Sequence, residues 1–167
     1  EVLAMHMSLL GIKPSDTVVI VPGDRPEDAT LVSMAFARLG HERYGILNGG
    51  FERWAAEKQP VGTDIPAIEP SHYPAGAKDA FTMDYRQVRE RLGLKDTVII
   101  DVRPEEFYAG RKVEEARGGH IPGALNRPFS DNLGADGHFK PAAQLKQEFD
   151  ALLVGHDAGG VVHHCGS

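Results

Sequence analysis

Apolar residues follow two alternating textures along this chain. Val2, Met5, Leu9 and Leu10 recur at near-helical spacing, and Gly11 follows where a helix C-cap would stand, so residues 2 to 10 read as a helix. Thr17-Val18-Val19-Ile20-Val21 is β-branched almost throughout, the pattern of a strand buried on both faces, and Pro22-Gly23 ends it. Asp28 is placed to N-cap a helix carrying Leu31, Val32, Ala35, Phe36 and Leu39, closed by Gly40. A short strand from Tyr44 to Leu47 turns through Asn48-Gly49-Gly50 into a small helix whose Phe51 and Trp54 are expected in a core. Strand, helix, strand, helix is α/β alternation, which favours a parallel sheet with right-handed crossovers.

The texture changes between Gln59 and Ala80. Pro60, Pro66, Pro70 and Pro74 interrupt a stretch with no apolar period, which reads as an extended linker. A second alternation then begins. Asp84-x-x-Gln87 can form a capping box for a helix with Val88 and Leu92 inward. Thr97 to Val102 is a buried strand, Pro104 opens a helical turn with Phe107 and Tyr108, and Leu125-Asn126 is a short strand. Pro141 begins a helix carrying Leu145, Phe149, Leu152 and Leu153, and Val161-Val162 leads a closing strand into His163-His164-Cys165-Gly166-Ser167.

The two alternations align without a gap. Leu10 to Asp24 lies over Leu153 to Ser167 at an offset of 143 residues, the distance from position 22 to position 165. The shared helix end, turn, strand and glycine loop make duplication the expectation. Three segments follow: residues 1–60 as the later part of one domain, 61–80 as linker, and 81–167 as the earlier part of a second, homologous domain. Pro22 then stands where the second copy has Cys165, so the first copy has no nucleophile. By this reading the chain is a fragment cut at both ends. The loop around Cys165 would be completed by residues after Ser167, and these residues alone would be weakly active or inactive.

Composition narrows the function. The chain has 167 residues, a net charge of −6 with histidine neutral, and ordinary hydrophobic content, which fits a globular protein and argues against a general nucleic-acid or anionic-lipid surface. No apolar run approaches the length of a membrane span. A single cysteine makes no internal disulfide, so a reducing, cytoplasmic compartment is expected. The eight histidines are scattered, and His163-His164-Cys165 cannot all point one way along a strand, so no metal site is expected. A lone cysteine is most often a small buried hydrophobe. Cys165, however, lies where a strand meets a loop of small residues, and backbone N–H groups there favour the thiolate, the nucleophilic form.

Asp101-Val102-Arg103, Gly119-His120-Ile121-Pro122-Gly123-Ala124, Leu47-Asn48-Gly49-Gly50 with Trp54, and Cys165-Gly166-Ser167 together resemble the tandem-domain rhodanese-type sulfurtransferases. The resemblance implies a rhodanese-like α/β fold, a parallel sheet flanked by helices, in two homologous domains, each incomplete here. Its first domain is normally inactive. It also implies a sulfur relay without metal or organic cofactor: the Cys165 thiolate takes a sulfane sulfur as a persulfide and passes it to a thiol or cyanide acceptor. Cys-Gly-Ser is closer to the 3-mercaptopyruvate branch than to the thiosulfate branch. Gly166 and Ser167 would offer amides to the persulfide, and the Ser167 hydroxyl would assist proton handling. Arg111 and Arg117 match positions that bind the donor's anionic group, a task suited to the guanidinium fork. Asp101 is a candidate to orient the active loop or to bond Arg103. His120 is expected to fix the turn before Ile121-Pro122. His163 and His164 face opposite sides of a regular strand, so at most one reaches the site. Two rivals remain: a cysteine phosphatase or arsenate reductase, because His164-Cys165 also begins a His-Cys phosphate loop, and a non-catalytic binding or regulatory module.

Overall fold

The computed structural model describes residues 1–76, 82–114, 116–156 and 159–166. They form two compact units, Glu1–Thr82 and Met83–Ser167.

In unit 1, helix α1 (Val2–Leu9) is followed by strand β1 (Val18–Ile20), helix α2 (Pro26–Arg38), strand β2 (Tyr44–Ile46) and helix α3 (Gly50–Ala56). β1 and β2 pair in parallel, Val18 opposite Tyr44 and Ile20 opposite Ile46, with α2 as the crossover. The α2 cap differs from expectation. Pro26 occupies the first turn with Arg25 as N-cap, and Asp28 lies inside the first turn, where its charge favours the helix dipole without capping it. β1 is also less covered than its composition implies, since Val19 is 60% exposed. Phe51 and Trp54 lie outside the core and are exposed. Their α3 has only seven residues, too short to turn a broad apolar face onto its neighbours.

The core of unit 1 is Ala4, Met7, Phe36 and Tyr73. Tyr73 comes from the proline-rich segment, whose described residues carry no helix or strand after α3 and dock on α1 at Ser71 and Tyr73. Ser71 N–H donates to Ser8 O (2.8 Å), and Tyr73 N–H donates to Ser8 Oγ (2.9 Å). The buried His41 completes the joint. Its Nε2 lies 3.0 Å from Asp16 O and 3.2 Å from Arg43 O, both acceptors, so Nε2 carries the hydrogen and Nδ1 accepts from Tyr73 Oη at 2.8 Å. A buried imidazole is thus satisfied on both nitrogens.

Unit 2 is built on strand β3 (Thr97–Asp101), flanked in parallel by β4 (Leu125–Asn126) and β5 (Gly160–His164) in the order β4-β3-β5. Val98, Ile99, Ile100 and Asp101 are all buried, which matches the unbroken apolar run of a central parallel strand. β5 differs: it pairs only with β3 among the described residues, and Val161 is 40% exposed, so it is an edge strand rather than a buried one. Asp84 caps α4 (Tyr85–Glu90) as expected, accepting from the N–H groups of Arg86 and Gln87, while Gln87 Oε1 accepts from Asp84 N–H. Helix α5 (Glu105–Tyr108) follows β3, and α6 (Ala142–Leu152) precedes β5. Glu148 on α6 accepts from Arg127, Gln144 and Lys140, which hold its carboxyl down to about 2 and tie the helix to the loop after β4.

Candidate active site

Parallel strands in an α/β sheet open a crevice beyond their carboxyl ends, and β3 and β5 end side by side, Asp101 opposite His164. Val102 N–H donates to His164 O at 2.9 Å and continues the pairing one step past β3. Cys165 is the next residue along, and it is exposed. A cavity of about 690 Å³ opens there. Cys165, Gly166 and His164 line one part of it, and Arg117, Gly118, Gly119, His120 and Ile121 line another, with Glu114 and Arg103 beside them.

The part of the lining that carries Gly119 is tied to β3. Asp101 is completely buried and Arg103 nearly so. Arg103 Nη2 donates to Asp101 Oδ2 (2.7 Å) and Nε donates to Oδ1 (3.0 Å), while Arg103 N–H also reaches Oδ1 (3.0 Å). Burial pushes the Asp101 carboxyl up, but the Arg103 side chain and backbone together more than offset it, with a smaller contribution from His164. The carboxyl therefore sits below its usual range. Arg103 Nη2 then donates to Gly119 O at 2.7 Å, which fixes the loop that carries His120. The loop is drawn tight just before this point. A Cβ on Gly118 would come within 2.8 Å of Val113 Cγ2 and 3.2 Å of Gly110 O, so only glycine fits without displacement.

The residues singled out from sequence divide under this geometry. Cys165, Gly166 and Arg117 come together on the cavity; Ser167 lies outside the described residues. Asp101 is not among the residues that line the cavity: it ends β3 fully buried, and its carboxylate is engaged by Arg103. Its hydrogen-bonded link to the cavity lining runs through Arg103, which also bonds Gly119 O. Arg111 is also absent from the cavity lining; its exposed guanidinium pairs with Glu105, with Nη1 3.1 Å from Oε1. Four polar lining side chains had not been assigned to the site from sequence: Arg103, Glu114, His120 and His164. His164 lines the cavity and His163 does not, although strict strand alternation would put His163 on the face of Cys165; Cys165 lies past the end of β5, where that alternation no longer applies. Arg103 was visible in Asp-x-Arg, but its reach to Gly119 was not.

A family model described as the Rhodanese-like domain matches residues 84–167, half of the chain. The chain is 30% identical over 180 residues to the sulfur carrier protein TtuD of Thermus thermophilus, covering 98% of this chain and 61% of that protein. It is 34% identical over 157 residues to the thiosulfate sulfurtransferase of Bos taurus, covering 90% and 53%. With the probable 3-mercaptopyruvate sulfurtransferase of Pseudomonas aeruginosa it shares 30% identity over 169 residues, 99% of this chain and 59% of the other. The crystal structure of SseA from Escherichia coli superposes with a TM-score of 0.81 at 24% identity, covering 99% of this chain and 62% of that one, a likeness of fold. The chain spans between half and about three fifths of the length of these curated relatives. With the matched half carrying both β3 and the cysteine cavity, the chain belongs to the rhodanese-like domain family.

Proposed function

We propose that this protein is a sulfurtransferase that takes a sulfane sulfur from 3-mercaptopyruvate, or from thiosulfate, onto Cys165 and delivers it to a thiol or cyanide acceptor. The observation that carries the reading is the exposed Cys165 on a cavity that also presents Arg117. The names of the relatives support sulfur transfer over phosphate chemistry.

In the first half-reaction the Cys165 thiolate attacks the sulfane sulfur and a new S–S bond forms. With 3-mercaptopyruvate the C–S bond breaks, and its electron pair stays on carbon as the pyruvate enolate, which then takes a proton. With thiosulfate the S–S bond breaks and sulfite leaves. In the second half-reaction the acceptor attacks the outer sulfur, and Cys165 departs as thiolate. Arg117 binds the donor's anionic group, a contact worth most inside a cavity where water is displaced. The Gly166 and Ser167 amides are proposed to stabilise the persulfide anion. Arg111 is proposed as a second donor contact: its pair with Glu105 is exposed, and such pairs are readily given up for a better-placed anion. Asp101 is a positioning residue that holds Arg103 and, through it, the Gly119 wall. The first unit, with Pro22 at the aligned position, is proposed to be a non-catalytic homologous domain, 61–80 being the segment between the two. A cytoplasmic setting would keep Cys165 reduced.

Mass spectrometry of Cys165 in the full-length protein, after incubation with each donor, tests the proposal. A gain of one sulfur from 3-mercaptopyruvate, lost again on adding a thiol, is expected, and a smaller yield from thiosulfate would place the protein in the mercaptopyruvate branch. No gain from either donor would refute it. Replacing Arg117 by alanine should raise KM for the donor about ten-fold while leaving the loaded persulfide's reactivity unchanged.

A further inference from the structure

Resting on the sulfur-transfer reading, we infer that His120 is a catalytic residue of the second half-reaction: it takes the proton from an incoming thiol acceptor. Three observations converge on it. His120 lines the same cavity as Cys165. Its Nδ1 lies 2.8 Å from the carbonyl oxygen of Tyr108, which can only accept, so Nδ1 carries a hydrogen, and in the neutral tautomer this selects, Nε2 is the bare nitrogen. Among the described residues Nε2 has no hydrogen-bond partner.

The ring is also locked in place. It stacks on Tyr108 at 3.7 Å between centroids and 12° between planes, and Tyr108 is itself anchored by its hydroxyl donating to Ala124 O at 2.8 Å. The preceding residue, Gly119, is held by Arg103. A merely turn-fixing histidine needs the Nδ1 bond alone. Here the tautomer, the ring plane and the backbone are all set, and the spare nitrogen belongs to a residue of the reaction cavity. The other titratable or charged groups around that cavity are Glu114, Arg117, Arg103, His164 and Cys165. Arg103 is committed to Asp101 and Gly119, Arg117 has no lone pair to accept a proton, and His164 has no hydrogen bond among the described residues to fix its tautomer.

The step balances as follows. The acceptor R–SH gives its proton to Nε2 of His120 and becomes R–S⁻. That sulfur attacks the outer sulfur of Cys165–S–SH, forming a new S–S bond, and the S–S bond to Cys165 breaks with its electron pair remaining on Cys165. The products are R–S–SH, the Cys165 thiolate and an imidazolium that later loses its proton to water. Sulfite as acceptor attacks without losing a proton and needs no base.

The test uses the full-length protein, loaded with sulfur from 3-mercaptopyruvate and discharged by free cysteine or by sulfite in single turnovers followed by mass spectrometry. His120→Asn places an amide N–H where Nδ1 stood and keeps the bond to Tyr108 O while removing Nε2; His120→Ala removes both. At pH 7 about one part in thirty of a thiol with pKa near 8.5 is ionised, so His120→Asn should slow discharge to cysteine about ten-fold and no more than about thirty-fold. The deficit should close above about pH 9, where the thiol ionises unaided. Loading and discharge to sulfite should be unchanged. Discharge of His120→Asn to cysteine at the unsubstituted rate would overturn the inference, and with a slow His120→Ala it would show an anchor only. Equal slowing toward cysteine and sulfite would likewise overturn it, by showing a displaced loop. Failure of the unsubstituted full-length protein to load would instead remove the sulfur-transfer reading and this inference with it.

Discussion

Two strands of this protein, one in each unit, run into loops that the sequence aligns, and the loops meet opposite fates. After β1 comes Pro22, which is buried; its carbonyl accepts from Phe51 N–H at 3.2 Å, and Gly50 packs so closely that a Cβ there would lie 2.6 Å from Pro22 O. After β5 comes Cys165, exposed on a cavity of about 690 Å³. In the first case the start of α3 closes over the strand end; in the second, residues 117–121 line the cavity together with Cys165, and Arg103 fixes Gly119 among them. An α/β strand end is therefore not a site by topology alone. It becomes one when something else in the unit keeps the space open and the residue presented there can react.

The sharpest way to break this comparison is to exchange the two residues. Cys165→Ser should abolish sulfur loading altogether, and Pro22→Cys should not restore it, because position 22 is covered. A persulfide at residue 22 in the double variant, detected by peptide mass spectrometry, would show that covering is not what separates the two ends. Next in size is the bolt that holds the cavity wall. Arg103→Ala leaves the buried Asp101 carboxylate unpaired and should cost about 3–5 kcal/mol in chemical denaturation, with loss of sulfur transfer. Because the Asp101 carboxyl is held below its usual value, its contribution is complete above about pH 4 and fades as pH falls through the lowered folded value. Asp101→Asn should therefore flatten the acid side of the stability profile.

Smaller effects sharpen the other side. Gly50→Ala puts a side chain at φ +59° against Pro22 O and should destabilise the protein by about 1–3 kcal/mol while Cys165 still loads. A loss of loading equal to that of Arg103→Ala would mean that the two strand ends are not independent. Tyr73→Phe removes the hydrogen bond to His41 and leaves a buried Nδ1 unpaired, a loss of about 1–2 kcal/mol measurable by denaturation, again without effect on loading.

Much of this was legible in the residues. The capping box at Asp84, the buried run of β3 and the placing of Cys165 at a strand end follow from local rules that hold wherever the segment sits. Less legible were features that depend on what lies across from a residue. Nothing local marks β5 as an edge strand, or Phe51 and Trp54 as exposed, because coverage is a property of neighbours. Arg111 and Arg117 occupy one polar loop and look equivalent in sequence, yet one meets Glu105 and the other lines the cavity. The proline-rich segment reads as linker because proline forbids a helix, but Tyr73 finds a buried histidine 32 residues earlier in the chain.

By itself the sequence determined the alternation of helices and parallel strands, the family motifs and the single residue able to act as a sulfur nucleophile, since these rest on backbone preference and chemical identity. Only the tertiary structure decided that Asp101 is buried against Arg103 and does not line the cavity, that Arg117 and His120 share the cysteine's cavity, and that His120 has one nitrogen spent and one spare. Those outcomes depend on distances between residues far apart in the chain, and hydrogen bonds and ion pairs act over a few ångströms, so no local pattern encodes them.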